Sequence, residues 1–143
     1  MNQISIDGRL ATVLIAGRNG CGDFGPNRLR EGRPVKWNEL AHADICVIRS
    51  DLRGVLGHLP APAAGYSRIV VENYASVVSV VKSGAAVGLV LDMGLPDDVL
   101  KFELDAERRP EDRELAIWTR RGETPTAIAT AFINVVTAME NKS

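Results

Sequence analysis

The strongest constraint on this chain is the alternation of short apolar runs with helix-like stretches, each run closed by a glycine or by a capping residue. Residues 10–16 end at Gly17, residues 44–49 at Ser50, residues 67–72 at Asn73 and residues 87–91 at Asp92. Runs this short, apolar without strict alternation, are the pattern of strands buried on both faces. Between them, Ser50 or Asp51 is placed to cap a helix reaching about Leu59, with Leu52, Val55, Leu56 and Leu59 on one face. Residues 75–83 set Val77, Val78, Val80 and Val81 at helical spacing and stop at Gly84. A short helix is expected over residues 37–43 and an edge strand over residues 101–105. A charged turn around Pro110 and a further strand over residues 115–119 follow. The last element is a helix capped by Thr124, with Pro125 in its first turn. Its apolar stripe is Ala127, Ile128, Ala131, Phe132, Val135, Val136 and Met139. Strands alternating with helices imply an α/β fold with a mixed, mainly parallel sheet and helices on both faces.

Composition bounds the function classes. With 143 residues, 45% of them apolar and 24% charged, the chain can bury a core of its own. Seventeen Lys and Arg against eighteen Asp and Glu leave a net charge of -1, which lacks the electrostatic footprint of a self-sufficient nucleic-acid-binding domain. No run reaches the roughly 18 apolar residues of a membrane span. Residues 1–10 are polar, without a signal-peptide pattern, so a cytoplasmic location is expected. Cys21 and Cys46 form neither a disulfide framework nor a zinc-ligand spacing, and neither a metal nor a cofactor is expected.

Candidate sites cluster where strands end. Gly17-Arg18-Asn19-Gly20-Cys21-Gly22-Asp23-Phe24-Gly25 follows a strand but lacks the Lys-Ser/Thr ending of a phosphate loop, and Asp23 would repel phosphate. Ser50-Asp51-Leu52 and Asn73-Tyr74 stand at strand-to-helix turns, where free backbone N–H groups suit a small anion; ordinary capping explains the same residues. His42 and His58 have no ligand partners at metal spacing. Cys46 alternates into a strand and reads as core, whereas Cys21 lies in the loop. No nucleophile, base and orienting group can be named together, so no enzyme activity is expected. The rival reading is a small α/β enzyme with Cys21 as a reactive thiol.

One resemblance covers nearly the whole chain, from about Leu10 to Met139. Gly32-Arg33-Pro34-Val35-Lys36-Trp37-Asn38-Glu39-Leu40, followed by Asp44-Ile45-Cys46-Val47-Ile48-Arg49-Ser50, resembles the effector-binding domain of LysR-type transcriptional regulators. Ser50-Asp51-Leu52-Arg53 is similar to that family's Gly-Ser-x-Leu-Arg helix start. Residues 81–89 resemble its stretch ending Gly-Leu-Gly-Ile, and residues 115–119 with the final helix resemble its closing strand and helix.

The resemblance implies a periplasmic-binding-protein-like fold that senses a small effector, such as an organic acid or an aromatic metabolite. It implies DNA contact only through a separate domain, and no membrane. On that basis residues 1–143 form one effector-binding-type domain. Residues 10–93 are the core of the second subdomain, and residues 94–143 are the return strands and C-terminal helix. The strand after Leu10 is the crossing into that subdomain, and residues 87–93 lie near the return. The effector-facing positions implied are Gly17, Arg18, Ser50, Asp51, Leu52, Asn73 and Tyr74, with Arg18 as a carboxylate fork. The apolar stripe of the last helix implies a homodimer. A further alternative is a scaffold that pairs with full-length regulators.

Overall fold

The structure is a computed structural model that describes residues 2–105, 107–124 and 126–140. Its contacts divide the chain into two compact units. The larger, Ala11–Glu111, holds a five-stranded sheet of order β4-β3-β5-β2-β6. These strands are β2 (Thr12–Gly17), β3 (Ile45–Ile48), β4 (Arg68–Val71), β5 (Val87–Leu91) and β6 (Val99–Phe102). β3 runs parallel to β4 and to β5, while β2 is antiparallel to both β5 and β6. Four of the five strands therefore point one way and β2 alone is reversed. The sheet is mixed and mainly parallel, as expected.

Every residue of β2 is buried, as a strand flanked on both sides and covered on both faces must be. Its side chains alternate between two cores. Leu14 and Ala16 join Val35, Trp37, Leu40, Ile45, Val47, Leu56, Leu89 and Phe102 on one face. Val13 and Ile15 join Cys46, Val77, Val81, Ala86 and Val90 on the other. The second face is covered by α3 (Tyr74–Lys82), whose Val77 and Val81, one helical turn apart, are completely buried. The first is covered by a short 3₁₀ helix (Trp37–His42), by α2 (Arg49–Leu52) and by the turns after it.

Several sequence expectations are revised. α2 is a single turn that starts at Arg49, with Ile48 in extended backbone before it, so neither Ser50 nor Asp51 is its cap. The expected continuation to Leu59 is a series of turns. The Gly54 and Leu56 N–H groups donate to the Asp51 carbonyl, Gly57 to Gly54, and Leu59 to Leu56. Gly54 and Gly57 favour such turns over a helix, and Leu56 is buried all the same. Within residues 17–34, whose glycines and prolines read as a long loop, Pro26 opens a short helix, α1 (Pro26–Arg30), its fixed φ suiting the first helical position. Residues 87–93 end beside the entry to the larger unit, where the Asp92 N–H donates to the Ala11 carbonyl. β5 lies mid-sheet, and the chain leaves the larger unit at Glu111, after β6 has joined the sheet edge.

Arg68 ties the end of the 3₁₀ helix to the loop at Pro60. Its guanidinium donates to the carbonyls of Ala43 (2.7 Å), Leu40 (2.8 Å) and Pro60 (3.0 Å). Burial lowers its pKa, and these carbonyls replace the water it loses.

The smaller unit comprises Met1–Leu10 and Asp112–Ser143. β1 (Asn2–Leu10), which the polar N-terminus concealed, pairs antiparallel with β7 (Arg113–Thr119), with a register shift between Ser5 and Arg9. α4 (Ala127–Glu140) packs on β1. Its cap is Thr126, whose hydroxyl accepts from the Ala129 N–H at 3.1 Å, and not Thr124; Pro125 lies outside the described residues. Ala129, Ile133 and Val136 are half-buried. Ile128, Phe132 and Val135 of the expected stripe are exposed, at 84%, 60% and 57%.

α3 approaches the sheet closely because two positions lack a Cβ. One added at Gly88 would stand 2.7 Å from Val77 Cγ1 and 2.9 Å from Val81 Cγ2. Gly88→Ala is expected to cost about 1–3 kcal/mol through overpacking, read as a shift of the urea midpoint. A loss below about 0.5 kcal/mol, the range of an ordinary surface substitution, would contradict this packing.

Candidate functional site

Strand direction sorts the candidate residues. β3, β4 and β5 start level, since Ile45 pairs with both Arg68 and Val87. Their C-terminal ends lead to Ser50, Asp51 and Leu52, to Asn73 and Tyr74, and to Asp92–Gly94. Reversed β2 places Thr12 opposite Leu91 at this same end, and the Asp92 N–H donates to the Ala11 carbonyl at 2.9 Å. Gly17, at the other end of β2, lies beyond Val87, roughly 15 Å away at an extended-strand rise. The structure thus brings Ser50, Asp51, Leu52, Asn73 and Tyr74 to one end of the sheet and leaves Gly17 and Arg18 at the opposite end. The crossing between units is at Leu10/Ala11, the start of this strand and not its finish.

Gly17 has a packing role: a Cβ there would meet the Val81 carbonyl oxygen at 2.7 Å. Arg18 is exposed. Asn73 caps α3, its Oδ1 accepting from the Ser76 N–H at 2.9 Å. Tyr74 opens α3 and its hydroxyl donates to the Gly94 carbonyl at 3.4 Å. Burial raises its pKa, so it remains a neutral donor. Ser50 is exposed, Asp51 is buried, and Leu52 packs against the first core cluster. Arg49 Nε donates to Glu72 Oε1 at 2.7 Å across the ends of β3 and β4. Both side chains are exposed, so this pair contributes at most about 1 kcal/mol.

A groove of about 530 Å³ opens on the chain that continues from β3. Gly54, Val55 and His58, from the turns after α2, form one wall; Arg108, Arg109, Pro110 and Glu111, the segment by which the chain leaves this unit, form another. Trp37 lies between them, its indole N–H held by the His58 carbonyl at 3.1 Å. Arg108 has φ of 66°, the only non-glycine residue at positive φ among the described residues. An L-residue there stores about 1–2 kcal/mol. This groove escaped the sequence reading: residues 107–114 read as a charged turn, and His58 as a solvated or packed histidine without ligand partners. The adjacent pair Arg108-Arg109 before a proline was the available signal.

The loop thiol does not suit nucleophilic chemistry. Cys21 is half-buried in a tight turn, exchanging backbone hydrogen bonds with Phe24 (2.7 and 3.0 Å). Burial, and then the negative charge of Asp44, push its pKa up. Cys46 is completely buried, as expected of a core residue.

No family model matches the chain, and no curated protein matches it by sequence. Solved structures do. The effector-binding domain of QuiR in complex with shikimate is 10% identical, with a TM-score of 0.60 over 98% of this chain and 66% of that one. The regulatory domain of Synechocystis PCC6803 CcmR in complex with 2-PG is 12% identical, with a TM-score of 0.65 over 97% of this chain and 66% of that one. Full-length CbnR complexed with its target DNA is 19% identical, with a TM-score of 0.62 over 97% of this chain and 46% of that one. The chain therefore spans 66% or less of the length of each of these three. The class of fold is the periplasmic-binding-protein-like α/β type. More particularly, it is the fold of the effector-binding domains of LysR-type regulators, as expected from the sequence; the neighbours are regulatory domains and not enzymes.

The state of Cys21 is measurable. A native state that favours the neutral thiol raises the pH at which the thiolate forms. Iodoacetamide labelling of Cys21, followed by peptide mass spectrometry, is expected to reach half its maximal rate at a higher pH in the folded chain than in urea. Half-maximal labelling at a lower pH in the folded chain would revive the enzyme reading.

Proposed function

We propose that this chain is the small-molecule-sensing part of a LysR-type transcriptional regulator. The observation that carries this reading is the likeness, over nearly the whole chain, to effector-binding domains, two of them in complex with a small molecule. The effector is received at the end of the sheet where β3, β4 and β5 finish, the end at which open α/β sheets bind ligands. Ser50, Asp51, Asn73 and Tyr74 stand there and form one wall of the site. Gly17 and Arg18 take no part. Ala11–Glu111 is one subdomain, and the terminal segments belong to the other.

The chain senses and does not catalyse, which the raised pKa of Cys21 supports. DNA is contacted through a separate domain, consistent with the full-length neighbour bound to DNA. The protein works in the cytoplasm, where such a regulator meets both metabolite and DNA. Among the described residues no helix is long and apolar enough to cross a membrane.

Ser50, Asp51, Asn73 and Tyr74 supply contacts from a single wall, so the affinity they provide is expected to be weak. An NMR titration of the 143-residue chain with a panel of small organic acids should give saturable shifts with Kd of about 1 mM or weaker. These shifts should gather on residues 48–52, 73–74 and 92–94. Submicromolar binding, or shifts gathered at Gly17 and Arg18, would overturn the assignment.

The exposed Ile128, Phe132 and Val135 of α4 support self-association, because such a face is normally covered. Light scattering over a concentration series is expected to give the mass of a dimer. A monomer throughout would remove the homodimer from this reading.

A further inference from the structure

A cavity of about 110 Å³ opens at the other end of the sheet from Ser50, Asp51, Asn73 and Tyr74. Asp44 immediately precedes β3 and Val87 begins β5, so it lies where the parallel strands start. One wall is the tight turn in which Cys21 and Phe24 exchange backbone hydrogen bonds. Its lining includes the carboxylates of Asp23 and Asp44 and neither a lysine nor an arginine. Asp23 is exposed and has no partner among the described residues. Asp44 is half-buried, and its Oδ1 accepts from the Ser67 N–H (2.8 Å) and hydroxyl (3.2 Å). Those donors are neutral, so they leave its charge uncompensated. Its Oδ2 accepts no hydrogen bond among the described residues, and a half-buried carboxylate oxygen without a donor is costly. Arg68 is close enough to feel the charge of Asp44, yet its terminal nitrogens are taken by the carbonyls of Leu40, Ala43 and Pro60, and it does not line the cavity. His42 and Tyr66 form a second wall, their rings edge to face at 78° with centroids 6.0 Å apart. Buried Val87 supplies an apolar floor.

We propose that this cavity binds a small primary alkylammonium: its nitrogen donates to Asp44 Oδ2, with Asp23 adding a second negative charge, and its hydrocarbon lies on His42, Tyr66 and Val87. A charged donor on a carboxylate is among the stronger hydrogen bonds, and an aromatic wall adds attraction for the cation. A volume of about 110 Å³ is the room of roughly three or four waters, which suits an ammonium of about two or three carbons. Two carboxylates with no lining cation repel anions, so the site selects the charge opposite to that of an organic acid. The lining residues all belong to Ala11–Glu111, so the site is complete within one unit. It stands apart from the effector-sensing reading, which concerns the far end of the sheet.

The test uses the 143-residue chain labelled with ¹⁵N and titrated at constant ionic strength with propylammonium, propanol and potassium. Propylammonium is expected to shift the amides of residues 21–24, 42–44, 66 and 87 saturably, with Kd of about 1–10 mM. Propanol, which has the same shape without the charge, and Asp44→Asn should each weaken binding by about tenfold or more. Asparagine keeps an oxygen for the Ser67 donors, so Asp44→Asn is expected to stay folded. Asp23→Asn, at an exposed side chain, should weaken binding by about threefold and serves as the second variant. Equal binding of propanol and propylammonium, the same shifts with potassium, unchanged binding by both variants, or no saturable shift at about 50 mM overturns the proposal. Shifts confined to residues 48–52 and 73–74 overturn it too, while leaving the effector-sensing reading in place.

Discussion

The larger unit depends on how closely α3 lies on the sheet. Two glycines on adjacent strands, Gly17 at the end of β2 and Gly88 in β5, let the helix backbone and its valines come to distances that any Cβ would forbid. That approach seals Val13, Ile15, Cys46 and Val90 under Val77 and Val81. It also sets where α3 begins, and with it Asn73 and Tyr74. A helix held further out would leave a void along β5 and move those two residues from the end of the sheet. Packing at one end of the helix therefore fixes geometry at the other.

Much of the architecture was legible because burial on both faces leaves a plain mark. β2, β3 and β5 appear as short apolar runs, β4 shows its apolar Ile69-Val70-Val71, and Val77 and Val81 keep helical spacing despite residues that favour strands. Direction was not legible. Nothing in residues 12–17 distinguishes a strand running with its neighbours from one running against them, since both bury the same side chains. Placing the crossing at the finish of β2 sent Gly17 and Arg18 to the ligand end, when the reversal of the strand puts Thr12 there. Gly17 was noticed for a sound reason, the need for close approach, but what approaches is a helix carbonyl and not a ligand.

Elements stabilised by the rest of the molecule were harder to read. Asp51 and Ser50 have the chemistry of caps, yet the helix starts earlier, because the extended backbone of β3 ends at Ile48 and the chain turns at once. β1 carries only Ile4 and Ile6 as a hint of alternation, and its pairing with β7 spans more than a hundred residues of sequence. The Trp37 groove was out of reach for the same reason: its walls come from residues 37, 54–58 and 108–111, which meet only when the sheet is complete. The capping role of Asn73 was legible, because a cap is a local device and its partner Ser76 is three residues away.

Arg68 carries a consequence for how this sequence can drift over evolutionary time. Its two terminal nitrogens reach Leu40 and Ala43 at the end of the 3₁₀ helix and Pro60 in the loop opposite. A lysine ammonium has donors enough in number, but they radiate from one point and cannot span that plane. Substitutions elsewhere on β4 can accumulate one at a time, whereas a lineage that lost Arg68 would have to rebuild the helix end and the facing loop together. A position at the start of a short edge strand, unremarkable by composition, is thus among those least free to vary.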